Sequence, residues 1–146
     1  MEKLEIKHND FIAALATLHV GLRRFSDCMK NADMNKEQDH ETADLIRDAV
    51  IQRFEYCFEL AWKYIAVYLQ EKSGIVLEQY SPNYIFRKAC HAGLISESET
   101  IQSLQMVVDR NKTSHIYKEE VADSIATISA PKYYEFMQIL ADRFKP

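Results

Sequence analysis

Eight consecutive residues, Arg110-Asn111-Lys112-Thr113-Ser114-His115-Ile116-Tyr117, bring together a permanent cation, an amide, two hydroxyls, an imidazole and a phenol. A guanidinium forks onto two phosphate oxygens, and an imidazole gains or loses a proton near neutral pH. Arg110 and His115 therefore hold the minimum equipment for binding or cleaving a phosphodiester. Asn111, Lys112 and Ser114 add polar groups suited to holding a nucleotide beside them.

Geometry sets a condition on that chemistry. Five residues at about 100° each place Arg110 and His115 roughly 140° apart on a continuous helix. Both can line one site only if the helix ends between them. Lys112-Thr113-Ser114 is the natural break, because hydroxyl residues favour caps and turns over helix interiors. A plainer arrangement fits the same residues: Arg110 offsets the dipole at a helix C-terminus, and His115 bonds to loop backbone.

The elements that must position these groups read as helices. The chain has 146 residues, 47% of them hydrophobic, which is one domain (1–146) with ample material for a core. Three glycines and three prolines are too few for the tight turns of a sandwich or barrel, so the fold class is all-α. Spacings of three and four link Phe11, Leu15, Leu18, Leu22, Phe25 and Met29 into the stripe of a first long helix. The polar run from Asn31 to His40 predicts a loop.

A second helix is expected from about His40 to Ser73-Gly74, apolar round most of its circumference and therefore central. Its narrow polar stripe holds Gln52, Glu55, Glu59, Lys63 and Gln70. Glu55, Glu59 and Lys63 are spaced for salt bridges along one helix face, or for a place in a cleft or interface. Ser81-Pro82 predicts the start of a short third helix ending at Gly93, and Ser96 the start of a fourth with Ile101, Leu104 and Val108 on one face. The fifth begins after Tyr117, presents Val121, Ile125 and Ile128, and is kinked or split by Pro131 before Tyr133, Phe136, Leu140 and Phe144. Together they predict an antiparallel, up-and-down four-helix-type bundle with a short accessory helix.

Charge and cysteine usage narrow the function classes. A net charge of −4 argues against a general nucleic-acid coat protein while leaving room for a local basic patch. Cys28, Cys57 and Cys90 form no C-x-x-C pair and no disulfide framework, and read as core residues of a reducing compartment. No signal-peptide pattern or bilayer-length apolar run is present, so a soluble, cytoplasmic protein without membrane association is expected. Glu37-x-x-His40 occurs once and in the predicted loop, so neither a metal nor another cofactor is expected.

Arg110 to Tyr117 resembles the R-x4-H-x-Y signature of HEPN-domain proteins, particularly the HepT-like toxins and the nucleotidyltransferase substrate-binding protein family. The run from Ile51 to Lys63, the Ser81-Pro82 helix start and Gly93-Leu94-Ile95 also resemble that family in order and spacing. The resemblance covers about residues 41 to 145. It implies a homodimeric bundle in which Arg110 and His115 of both subunits face one cleft, a metal-independent ribonuclease in active members. It also implies a separate small nucleotidyltransferase as partner, since this chain lacks the Gly-Ser and Asp-x-Asp pattern of such a transferase. In HepT-like pairs the transferase adenylylates the motif tyrosine, here Tyr117. Three roles follow: a toxin-like ribonuclease of a toxin–antitoxin pair, a noncatalytic subunit binding RNA or nucleotide substrate for the transferase, or a helical dimerisation scaffold. Tyr117 is a switch in the first and a partly buried helix-start tyrosine in the last.

Overall fold

The computed structural model describes residues 2–146, which are all-helical with no strand among them. The elements are α1 (Glu2–Asn31), α2 (Glu37–Glu71), α3 (Pro82–His91) and α4 (Glu97–Asn111), the last running into a 3-10 turn (Lys112–His115). The final arm comprises α5 (Glu119–Ser124), a π-helical segment (Ile125–Ser129) and α6 (Ala130–Arg143).

Cross-helix contacts give the up-and-down order. Thr17 of α1 meets both Arg53 and Tyr56 of α2, while His8 nearer the start of α1 reaches Ala141 at the end of α6. Glu99 and Asp109, at opposite ends of α4, meet Arg143 and Tyr133 at opposite ends of α6. Neighbouring long helices therefore alternate in direction, and α3 is the short accessory helix. α2 packs against every other α-helix, as its apolar circumference requires. Phe54, Phe58, Ala61, Ile65 and Leu69 are buried along it, and the Tyr64 hydroxyl donates to the Phe144 carbonyl.

Local chemistry explains the helix ends. Gly74 and Gly93 take positive φ angles of 64° and 75° after α2 and α3, a conformation open to glycine without a Cβ penalty. The amide of Ile75 bonds back to Leu69, closing the end of α2. Pro82 occupies the first turn of α3 behind Ser81, whose side chain makes no capping bond. Ser96 caps α4 reciprocally with Glu99: the Glu99 amide donates to the serine hydroxyl, and the Ser96 amide donates to the Glu99 carboxylate.

Three sequence expectations are corrected. The polar linker is shorter than Asn31–His40, because α2 begins at Glu37; Asp33 accepts from the Asn35 amide, Asp39 accepts from the Asp33 amide, and Glu37 and Asp39 suit the positive helix start. Glu37 and His40 therefore stand on a helix. On α4 the core face is Thr100, Ser103, Met106 and Val107, whereas Ile101 is 70% exposed and Val108 also points outward. The two hydroxyls can be buried because they bond back to the carbonyls of Ser96 and Glu99.

The third correction concerns which residues of the last arm face inward; the split expected at Pro131 is present. Pro131 splits the arm by a π turn, in which the Ala130 amide bonds to Ile125 five residues back. That extra residue shifts the phase of the apolar face, so Ala122, Ile125 and Ala126 point inward while Ile128 is 64% exposed. Tyr133, Phe136, Leu140 and Phe144 resume the buried stripe beyond it. Met29, at the end of the α1 stripe, is also half-exposed.

Candidate functional site

Arg110 sits on the last turn of α4 and crosses to α2. Its Nη2 lies 3.5 Å from Glu55 Oε2 and its Nε 3.7 Å from Glu59 Oε1. Nη1 donates to the Thr113 hydroxyl at 3.0 Å, and that hydroxyl donates to Glu55 at 3.1 Å. Glu59 in turn accepts from the Trp62 indole at 3.2 Å and pairs with Lys63 at 3.4 Å. Glu55, Glu59 and Lys63 thus belong to the same polar network as Arg110. The network opens to solvent through a shallow recess of about 350 Å³, whose other walls are Gln52 and Tyr56.

The expected break is present between Arg110 and His115. α4 ends at Asn111, and Lys112–His115 tighten into the 3-10 turn. Thr113 faces inward and is buried, while Asn111, Lys112, Ser114 and His115 face solvent. The His115 ring stands 6.1 Å from that of Tyr117, edge to face. Among the described residues no hydrogen bond or ion pair joins Arg110 to His115, so one protomer does not bring the two functional groups together. Tyr117 is 76% exposed, which removes the partly buried alternative. Lys112 pairs with Asp109 at 3.0 Å, and the Ser114 hydroxyl donates to the Asn111 carbonyl at 3.1 Å.

Asp109 anchors the end of α4. It accepts from the Tyr133 hydroxyl of α6 at 2.5 Å as well as from Lys112 and Gln105. Burial alone would raise its pKa; the hydrogen bonds from Tyr133, Lys112 and Gln105 outweigh burial and hold the carboxyl below its ordinary value. The turn that carries Arg110 is thereby fixed against both α2 and α6.

With this geometry, similarity to known proteins acquires a location. Residues 14–146 match the family described as nucleotidyltransferase substrate binding protein like. The chain belongs to that family. A crystal structure of a protein from Thermus thermophilus is similar over 88% of this chain and 99% of its own, at 33% identity and a TM-score of 0.65. No curated protein matches significantly. The substrate-binding-protein-like region contains the whole polar network from Glu55 to Tyr117 and omits only the first turns of α1.

Thr113 and Asp109 were not singled out as site residues by sequence reasoning in this family member. Thr113 is the hydroxyl of its turn that faces inward; its placement three residues after Arg110 was a readable signal, since that is about one helical turn. A second polar cluster joins α2 to α5: Arg47, only 7% exposed, lies 3.2 Å from Asp44, 3.1 Å from Asp48 and 3.1 Å from Asp123. His40 faces Asp44 and Glu119 through its two different nitrogens, at 3.4 and 3.5 Å. Arg47 already neutralises part of this acidic group, which serves as an interhelix tie.

Proposed function

We propose that the protein is the HEPN-type helical partner of a small nucleotidyltransferase and that two protomers form a metal-independent ribonuclease cleft. The observation that carries the proposal is the 3-10 break after Arg110. It leaves a half-buried, anchored guanidinium and a solvent-facing imidazole at adjoining positions, so that a second protomer can supply the complementary group. One His115 takes the proton of a ribose 2′-hydroxyl as the 2′ oxygen attacks phosphorus. The other protonates the departing 5′ oxygen, leaving a 2′,3′-cyclic phosphate and a free 5′-hydroxyl. Arg110 balances charge on the phosphoryl oxygens. General acid–base catalysis supplies about 10² to 10⁴-fold, and charge stabilisation in a closed cleft a comparable factor.

Tyr117 is the regulatory position. Its exposure makes the phenol accessible to a transferase, and an adenylyl group there places phosphate charge and adenine bulk beside His115. RNA digestion in chelator tests the whole scheme. Wild-type dimer should cleave, whereas His115→Ala and protein coexpressed with its transferase should not. Intact RNA with the wild type, or full cleavage by His115→Ala, overturns it.

A noncatalytic role in binding the transferase's substrate is favoured by a different observation: Glu55 and Glu59 already neutralise Arg110, which leaves it less charge with which to stabilise a phosphoryl transition state. It predicts nucleotide binding without turnover and no growth inhibition when the chain is expressed alone.

A further inference from the structure

Apart from Arg87 on α3, the arginines sort into two sets. Arg47, Arg110 and Arg143 pair with carboxylates. Arg23, Arg24 and Arg53 form no ion pair among the described residues, and the three gather where α1 lies against α2. Val20 and Arg24 of α1 and Leu45, Ala49 and Arg53 of α2 line one groove of about 380 Å³. Arg23 lines an adjoining recess shared with Val20, Arg24 and Asp27. In a chain of net charge −4, the charged residues lining the groove and its adjoining recess are three arginines and one carboxylate, Asp27.

The groove lies beside the Arg110 recess, where Arg53 adjoins Gln52 and Tyr56 on α2. Gln52 and Tyr56 wall that recess, and Tyr56 and Arg53 both bond to Thr17, through its hydroxyl and its carbonyl respectively. Arg53 is also seated: its Nη1 donates to the Thr17 carbonyl at 2.8 Å, and its stem packs close beside Gly21 of α1. One donor of Arg53 is used on Thr17, and the guanidinium retains others for an anion. From Tyr56 to Ala49 the surface advances about 10 Å along α2, more than one phosphate occupies.

We infer that the α1–α2 groove is a track for the sugar–phosphate backbone of a single-stranded polynucleotide entering from the Arg110 recess. Arg53 and Arg24 take successive phosphates, and the exposed ring of Tyr56 offers a face to a base. Proximity to the Arg110 recess and the aromatic ring of Tyr56 beside Arg53 favour a nucleic-acid strand over an acidic protein surface. The track rests on the phosphate-binding role proposed for Arg110.

Fluorescence anisotropy with 2′-O-methyl oligoribonucleotides, which cannot undergo attack by a 2′-hydroxyl, separates the possibilities. The wild type should bind an octanucleotide more tightly than a dinucleotide. Arg24→Gln combined with Arg53→Gln should weaken octanucleotide binding about tenfold, lower the slope of log Kd against log salt by about 1.4 for two lost phosphate contacts, and leave the dinucleotide unchanged. Arg23→Gln with Arg24→Gln, which leaves the Arg53 seat intact, should weaken the octanucleotide without altering thermal stability. Unchanged octanucleotide affinity and salt slope in both double variants overturn the track, as does a loss confined to transferase binding. Equal affinity for both lengths, dependent on Arg110 alone, removes the track and leaves the recess as a phosphate site. Absence of binding to either oligonucleotide removes both.

Discussion

The Thr113 hydroxyl stands between two charges, accepting from Arg110 at 3.0 Å and donating to Glu55 at 3.1 Å. It is the buried joint through which the 3-10 turn fixes the arginine against α2. Thr113→Val keeps the shape and removes both bonds, which should cost about 1 kcal/mol of stability and loosen Arg110. Denaturant unfolding and nucleotide titration should show both effects, and Thr113→Ser should restore them. Full function in the valine variant would make the hydroxyl incidental.

Glu59 competes with any phosphate for Arg110. Glu59→Gln removes that competing charge while preserving a partner for Trp62, so AMP affinity should rise by up to about fivefold, the value of one partly exposed ion pair. Isothermal titration at low salt measures the change. A fall in affinity would show that the carboxylate supports the ligand instead of opposing it.

Tyr133 holds Asp109 through a charge-assisted hydrogen bond, so Tyr133→Phe should cost about 1.5 to 3 kcal/mol. The same bond shapes acid stability. Asp109, and Glu99 through its bond to Arg143, titrate below their ordinary values in the folded chain. Their stabilisation is complete above the unfolded-state values near pH 4 and is lost as pH falls through the lower folded values. Unfolding free energy should therefore decline below about pH 5, and the Tyr133→Phe variant should retain less of the Asp109 contribution.

Cys57 is fully buried on α2, and burial pushes its thiol up to about 12. Iodoacetamide at about pH 8 should modify the partly exposed Cys28 and Cys90 in the native protein while sparing Cys57 until the chain unfolds. Because its folded pKa is raised, its contribution to stability is complete below the unfolded thiol value of about 8.5 and is lost as pH rises toward 12. Mass spectrometry of tryptic peptides distinguishes the three thiols.

Much of the fold was legible because the strongest patterns answered to backbone requirements. Gly74, Gly93, Pro82 and Ser96 mark helix ends where they were expected. The Lys112-Thr113-Ser114 break was legible for the same reason. Which face of α4 turns inward was not, because buried Thr100 and Ser103 satisfy their hydroxyls within the helix and leave Ile101 and Val108 outside. The pairing of Arg110 with Glu55 and Glu59 was equally hidden, since 55 residues separate Arg110 from Glu55 in the chain (110 − 55) and only the α2–α4 packing joins them. The candidate residues were individually readable; their mutual neutralisation was not.

The π segment before Pro131 has a consequence for how the last arm tolerates change in length. A π turn holds about one residue more than the α-helical path across the same span. Ile125–Ser129 thus acts as a slack loop in an otherwise taut rod, and it confines a change of phase to a single turn. Ala122, on one side, and Tyr133 to Phe144, on the other, keep their own alignments with the core. Shortening the segment by one residue would draw in that slack, whereas the same deletion inside α6 would rotate Phe136, Leu140 and Phe144 away from their partners by about 100°.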